Sequence, residues 1–247
     1  MLGKKRRLDQ TLVEMGLVQS RQRAQALIMA GRVLVDDHPM YKPGMRISSV
    51  QHIVLREEDI PYVSRGGLKL EGALQALKLD VKGLVCLDVG ASTGGFTDCL
   101  LQHGAHRVFA VDVGYGQLAW KLRQDPRIIV IERTNIRHMP AEALPCPVDL
   151  ITIDVSFISL KIVVPSVMKF LKKEARILAL IKPQFEVGKG KVGKGGVVRD
   201  SVLHDTVVKD LSFFFKKNGF LVESIIPSLL RGPKGNQEFF ISLQFVS

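Results

Sequence analysis

Residues 84–112 constrain this chain more than any other stretch. Leu84-Val-Cys-Leu-Asp88 is an apolar run closing on a carboxylate, Val89-Gly90-Ala91-Ser92-Thr93-Gly94-Gly95-Phe96 is a glycine-rich turn, and Arg107-Val-Phe-Ala-Val-Asp112 is a second apolar run beyond one amphipathic stretch. Strand, turn, helix and strand in that order form one right-handed crossover unit of an α/β sheet. Gly90 permits a sharp backbone turn, and Gly94 with Gly95 is expected to clear side chains from the start of the helix, so that a ligand rests on main-chain N–H groups. Asp112 ends the next strand, where a carboxylate can accept both hydroxyls of a ribose. The expected cofactor-binding set is Asp88, Gly90, Ala91, Ser92, Gly94, Gly95, Phe96, Asp112 and, further on, Asp154.

The glycine spacing selects among cofactors. Dinucleotide sites place a second glycine two residues after the first so that a pyrophosphate can approach the backbone. Ser92 occupies that position here, and the order is Gly90-x-x-x-Gly94-Gly95. A ligand with adenosine and an amino acid but no phosphate fits better, which favours S-adenosylmethionine.

A length of 247 residues, 46% of them hydrophobic, suffices for one large domain or two smaller ones. Lys plus Arg number 35 against 24 Asp plus Glu, and this balance of +11 favours a polyanionic partner or an acidic membrane surface. No apolar run approaches the roughly 20 residues that span a bilayer. The basic start Lys4-Lys5-Arg6-Arg7 is followed by Leu8-Asp9-Gln10-Thr11 and not by a signal-peptide core, so a cytoplasmic chain without membrane insertion is expected. Cys86, Cys99 and Cys146 are odd in number and widely spaced, reading as reduced thiols with neither a disulfide framework nor a zinc spacing; no metal is expected.

Within the first 60 residues, Leu8, Leu12, Val13, Leu17, Ala24, Leu27 and Ile28 recur at helical spacing, broken at Gly16 and restarted at the N-cap candidate Ser20. Short strands follow at Arg32–Asp36 and around Ile47 and Ile53–Leu55, giving a small α+β domain over 1–60. Residues 61–67 read as a linker and 68–247 as the larger domain, opened by an amphipathic helix at 68–77. Its pattern continues with strands at 128–131, 148–153, 176–181, 220–226 and 238–246, and helices around 160–171 and 202–217: a doubly wound, Rossmann-like α/β sheet closed by a hairpin.

Chain direction then locates four charges. Asp154 follows the fourth strand and Lys182 the fifth, so both stand on the carboxyl edge where ligands gather. The last strand runs backward, so Glu238 begins at that edge, and the helix preceding the first strand also runs backward, bringing Lys69 there. One such charge alone is more often a solvated loop residue; four beside a cofactor turn indicate a site.

Lysine, aspartate, lysine and glutamate in this order resemble the catalytic tetrad of FtsJ-like ribosomal RNA 2'-O-ribose methyltransferases. The N-terminal pattern Arg7-Leu8-Asp9, Gly16-Leu17, Ser20-Arg21, Ala24, Ile28, Gly31 and Val33-Leu34-Val35 resembles the S4-type RNA-binding domain named after a ribosomal protein. With Ser64-Arg65-Gly66-Gly67-Leu68-Lys69, Asp154-Val155-Ser156-Phe157 and Ile181-Lys182-Pro183-Gln184-Phe185-Glu186, the whole chain is similar to the TlyA family. That resemblance implies S-adenosylmethionine-dependent 2'-O-methylation of cytidines in small- and large-subunit ribosomal RNA. Catalysis would fall to Lys69, Asp154, Lys182 and Glu238, with Lys182 receiving or polarising the 2'-OH proton. The S4-type module would put Arg6, Arg7, Arg21, Arg23 and Arg32 near phosphates, in a segment of 32 residues with seven basic and two acidic side chains. Arg65 and the glycine loop carrying Lys189, Lys191, Lys194 and Arg199 would extend the RNA surface on the ribosomal RNA or subunit; oligomeric state stays open.

Other chemistries lack their residues. Amino methylation of bases commonly uses an Asn/Asp-Pro-Pro-aromatic turn where this chain has Asp154-Val155-Ser156-Phe157. Carbon-5 methylation needs a cysteine nucleophile, and Pro145-Cys146-Pro147 precedes its strand, on the wrong edge. Gly188 to Gly195 nearly spells a phosphate-binding P-loop but ends in glycine where Ser or Thr must meet magnesium. Two rivals remain: a hemolysin-like membrane-active protein, because similar chains carry that name, and a non-catalytic RNA-binding protein with a degenerate cofactor fold.

Overall fold

A computed structural model describes residues 5–29, 31–48, 51–55, 60–188, 190–193, 195–232 and 234–245. The chain divides into two compact units, Met1–Pro61 and Tyr62–Ser247.

The first unit runs Arg6–Arg7 (β1), Leu8–Glu14 (α1), Arg21–Met29 (α2), Val33–Val35 (β2), His38–Met40 (β3), Arg46–Ile47 (β4) and Ile53–Leu55 (β5). Ser20 starts α2 by accepting the Arg23 amide through its hydroxyl. Leu8 and Leu12 of α1 and Ala24, Leu27 and Ile28 of α2 pack on Val33, Val35 and Ile47 in a small core. β2 lies between β3 and β5, all antiparallel, and β1 pairs with β4. Val35 faces His38 across a two-residue turn in which Asp36 and Asp37 both have positive φ, 51° and 64°. A type I′ turn is thus built without glycine. Asp36 is held there by Gln51 Nε2 and the His52 amide, each at 2.9 Å from its carboxylate.

The second unit runs Arg65–Leu77 (α3), Val85–Val89 (β6), Gly95–Gln102 (α4), Arg107–Val111 (β7), Trp120–Arg123 (α5), Ile128–Ile131 (β8), Val148–Ile153 (β9), Leu160–Val167 (α6), Leu171–Ile181 (β10), Pro183–Glu186 (α7), Ser201–Lys217 (α8), Phe220–Pro227 (β11) and Phe239–Phe245 (β12). Its seven strands are ordered β11-β12-β10-β9-β6-β7-β8. The five from β10 to β8 are parallel, while β12 runs antiparallel to both of its neighbours. Strand order reverses between β6 and β9, the switch point at which open α/β sheets bind ligands.

Period-two alternation sorts side chains onto two faces. Leu87, Ile151, Ile153, Ile177, Ala179 and Ile181 join a core with Val163, Val164 and Val167 of α6 and Val207, Leu211 and Phe215 of α8. Cys86, Leu150, Leu178 and Leu180 face Leu70, Ala73 and Leu74 of α3 and Cys99 and Leu100 of α4. With both faces covered, the strands read as near-continuous apolar runs.

Three boundaries differ from the sequence reading by more than a residue or two. Residues 65–67 are the first turn of α3 and no linker: Ser64 caps the helix by accepting the Gly66 amide, and a Cβ at Gly67 would lie 2.2 Å from the Tyr62 ring. β10 begins at Leu171, five residues early, because a register shift between Leu171 and Arg176, with Glu174 at φ 63°, carries Lys172-Lys173-Glu174 through as a bulged edge. α6 stops at Val167, and Met168–Phe170 tighten into a 3₁₀ turn.

Candidate active site

The four charges expected on the carboxyl edge form two ion pairs. Lys69 Nζ donates to Glu238 Oε2 at 2.6 Å, with the side chains 9% and 1% exposed. Lys182 Nζ lies 2.6 Å from Asp154 Oδ1 and donates to Ser156 Oγ at 3.0 Å. Ile181 is opposite Phe239, so Lys182 and Glu238 stand one step beyond the last β10–β12 register pair and link the two ion pairs along the rim. Glu238 fits because Gly232 has no side chain; a Cβ there would lie 2.5 Å from Glu238 Oε1. Asp154 Oδ1 is buried, and although Lys182 is close, the contact misses hydrogen-bond alignment, leaving this oxygen an acceptor for another donor.

The glycine turn is tied to this rim. Gly90 has φ 84°, and a Cβ on it would lie 2.4 Å from the Asp154 carbonyl oxygen, while the Asp154 amide donates to Val89 O at 3.0 Å. Any side chain at 90 would therefore push β6 and β9 apart at the switch point.

Gly94 and Gly95 serve another purpose than the one expected. The space before Gly94 is filled by Leu118 and Leu122, and a Cβ on Gly95 would meet Ser64 Oγ at 2.2 Å and the Gly67 amide nitrogen at 2.9 Å. They allow other parts of the protein to approach closely. The turn's amides are also spent internally: those of Gly90 and Ala91 on Val111 O, that of Ser92 on Asp112 Oδ2, and that of Gly94 on Ala91 O. Such a turn offers little to a diphosphate, in keeping with a cofactor that has none. Asp112, by contrast, is held by the loop with acceptor capacity to spare: Ser92 N and Gly114 N donate to its two oxygens at 2.8 and 2.7 Å, and each oxygen can accept again.

Two more residues of the expected cofactor set are buried among protein partners. Phe96 is buried against Phe240, ring centroids 6.0 Å apart. Asp88 is 0% exposed, with Oδ2 accepting from Thr97 of α4 at 2.7 Å and Oδ1 from Thr152 of β9 at 3.1 Å. It binds the turn from beneath. Burial pushes its carboxyl up to about 6, against the opposing effect of the two hydroxyls. An unfolded aspartate titrates near 3.8, so the folded chain holds the extra proton between these values. The contribution of Asp88 to stability is therefore greatest below pH 3.8 and is lost as pH rises through about 6. The displacement corresponds to about 3 kcal/mol. Asp88→Asn should remove that component from urea-unfolding free energies measured between about pH 4 and 7; equal pH slopes in both proteins would refute it.

The rim loops hold one another, in ways sequence reasoning missed. Glu186 of α7 accepts from Ser159 Oγ at 2.6 Å and from the Leu160 amide at 2.8 Å, so the turn after Lys182 caps the helix after Asp154. Phe157 has φ 64° and is 89% exposed, its ring 4.9 Å from that of Phe185.

Among the arginines expected at RNA, Arg6 pairs with Glu14, and Arg7 and Arg21 both pair with buried Asp9. Arg32, Lys191 and Arg199 are exposed, Arg23 is half-buried, and exposed Arg65 donates to Arg231 O. Lys189 and Lys194 lie outside the described residues. Burial pushes the Cys86 and Cys99 thiols up to about 12, which disqualifies both as nucleophiles at neutral pH. Among the described residues no helix is long and apolar enough to cross a membrane.

The FtsJ-like methyltransferase profile matches residues 62–245, and the S4 domain profile matches residues 6–53. The 16S/23S rRNA (cytidine-2'-O)-methyltransferase TlyA of Mycobacterium tuberculosis is 47% identical over 244 residues, covering 98% of this chain and 91% of that protein. Hemolysin A of Brachyspira hyodysenteriae is 42% identical over 185 residues, 74% of this chain and 77% of that one. A solved chain from Streptococcus thermophilus, named as a candidate hemolysin, superposes with a TM-score of 0.77 at 41% identity, covering 98% of this chain and 89% of its own.

Proposed function

This chain belongs to the FtsJ-like methyltransferase family and carries an S4 domain, and from that premise we propose that it methylates ribose 2'-hydroxyls of ribosomal RNA, at cytidine, with S-adenosylmethionine as donor. The observation that carries the reading is the Lys182–Asp154 pair at the carboxyl edge, joined through Gly90 to a turn whose amides are not arranged for phosphate. Cytidine is the acceptor named for the Mycobacterium tuberculosis relative. The ribosomal RNA or subunit is the partner, and the cytoplasm the corresponding compartment.

The residues present fit the donor. Asp112 would accept its ribose hydroxyls, and the turn from Gly90 to Ser92 and the Asp154 region would line its amino-acid side. When bound, S-adenosylmethionine would supply an electrophilic methyl group for transfer to the 2'-oxygen. Lys182, steadied by Asp154 and Ser156, would engage the hydroxyl and take or steer its proton. Lys69 and Glu238, too enclosed to reach far, would hold the rim in register behind it. Positioning of both reactants accounts for about 7–11 kcal/mol in well-oriented systems, so the rigidity of this rim matters as much as the proton.

The deciding experiment is transfer of radiolabelled methyl from S-adenosylmethionine to deproteinised ribosomal RNA, digested to nucleosides. Label in 2'-O-methylcytidine is expected; label on a base, or none, would refute the reading. Asp112→Ala should weaken S-adenosylmethionine binding about 10- to 100-fold by calorimetry, the usual range for losing charged hydrogen bonds. Unchanged affinity would take the ribose away from Asp112.

A further inference from the structure

A buried carboxylate lies behind the basic face of the first unit. Asp9, in the first turn of α1, is 0% exposed. Its Oδ1 accepts from Arg7 Nε at 2.9 Å and the Gln10 amide at 3.0 Å. Its Oδ2 accepts from Arg7 Nη2 and Arg21 Nε, each at 2.9 Å, and from Gln25 Nε2 at 3.0 Å. The Arg7 fork grips both oxygens, whereas Arg21 touches only one. Both arginine side chains remain 40% and 52% exposed, and among the described residues Arg7 Nη1 and both Nη groups of Arg21 carry no partner. One acid thus fixes two guanidinium planes, one from β1 and one from the start of α2, on side chains that stay partly exposed.

We infer that Asp9 is a positioning residue for RNA, holding Arg7 and Arg21 as a preorganised two-arginine clamp for phosphate. The inference rests on the RNA reading above and deepens it. A long cationic side chain free in solution loses rotamer freedom when it binds, and a chain already held does not. Bidentate anchoring of the inner edge also fixes the direction of the outer one, which matters for planar recognition of phosphate oxygens. The surrounding arginines hold the Asp9 carboxyl far below the usual carboxylate range, so the arrangement persists at all ordinary pH values.

The sign of one substitution separates positioning from charge. Asp9→Asn removes a negative charge from a basic face; bulk electrostatics alone predicts tighter RNA binding. Loss of positioning predicts weaker binding, by about ten-fold. The measurement is filter binding of the full-length chain to deproteinised ribosomal RNA over a salt series, with circular dichroism as the check on folding. Asp9→Asn should weaken binding in the parent and change nothing further when Arg7 and Arg21 are already Ala. Tighter or equal binding by folded Asp9→Asn would overturn the inference. Should that variant unfold, Arg7→Lys with Arg21→Lys carries the test: total charge is kept, the forks are lost, and parental affinity would overturn it equally. If Arg7→Ala with Arg21→Ala leaves affinity and salt slope unchanged, this face does not bind RNA and the RNA reading itself fails at these residues.

Discussion

Lys182→Ala is expected to slow single-turnover methyl transfer by about 10²- to 10⁴-fold, the range in which a positioned acid or base contributes. Single-turnover conditions isolate the chemical step from binding and product release. Affinity for RNA and for S-adenosylmethionine should change little, because Lys182 sits at the rim and the cofactor turn is held by Gly90, Asp88 and Asp112. Near-parental turnover would remove Lys182 from the chemistry. Lys182→Arg then divides two roles: a guanidinium can donate to the 2'-oxygen but cannot accept its proton. Partial recovery in this variant would mean that Lys182 orients the hydroxyl; none is expected if the amine takes the proton.

Glu238→Ala should give the largest loss of stability. It would leave the Lys69 ammonium without its counter-charge in a place where the two side chains are 9% and 1% exposed. Breaking one half of a buried ion pair costs about 3–5 kcal/mol, which in a unit of this size lowers the melting temperature by about 6–20 °C. Lys69→Met combined with Glu238→Leu should recover most of that stability, since two apolar side chains avoid the desolvation of both charges. It should not recover methyl transfer if the ion pair shapes the rim for Lys182. A Glu238→Ala protein as stable as its parent would contradict the burial on which this rests.

Much of this was legible because strands announce themselves. The runs at 85–89, 107–111, 128–131 and 148–153 are apolar on both faces, and once their directions are known, topology alone brings Lys69, Asp154, Lys182 and Glu238 to one edge. What stayed hidden depends on partners distant in sequence. Gly95 reads as room for a ligand until Ser64, 31 positions earlier, is found against it. Gly66-Gly67 resembles a helix breaker, yet tight packing on Tyr62 and α4 overrides propensity and begins α3 at Arg65. The charged Lys172-Lys173-Glu174 looks like a loop and is a bulged strand. Asp88 and Asp9 carry no sign in the sequence that one is sealed by threonines and the other encircled by arginines.

β12 is the last strand of the sheet to be synthesised, yet it lies between β10 and β11, which do not touch each other. Until it arrives, β11 has no strand through which to join β10, and Lys69 waits without its acid. A ribosome making this chain would therefore release the first unit early and complete the reactive edge only once Glu238 and β12 have been made. Nascent polypeptide carrying the first unit would precede the completed reactive edge in the order of synthesis.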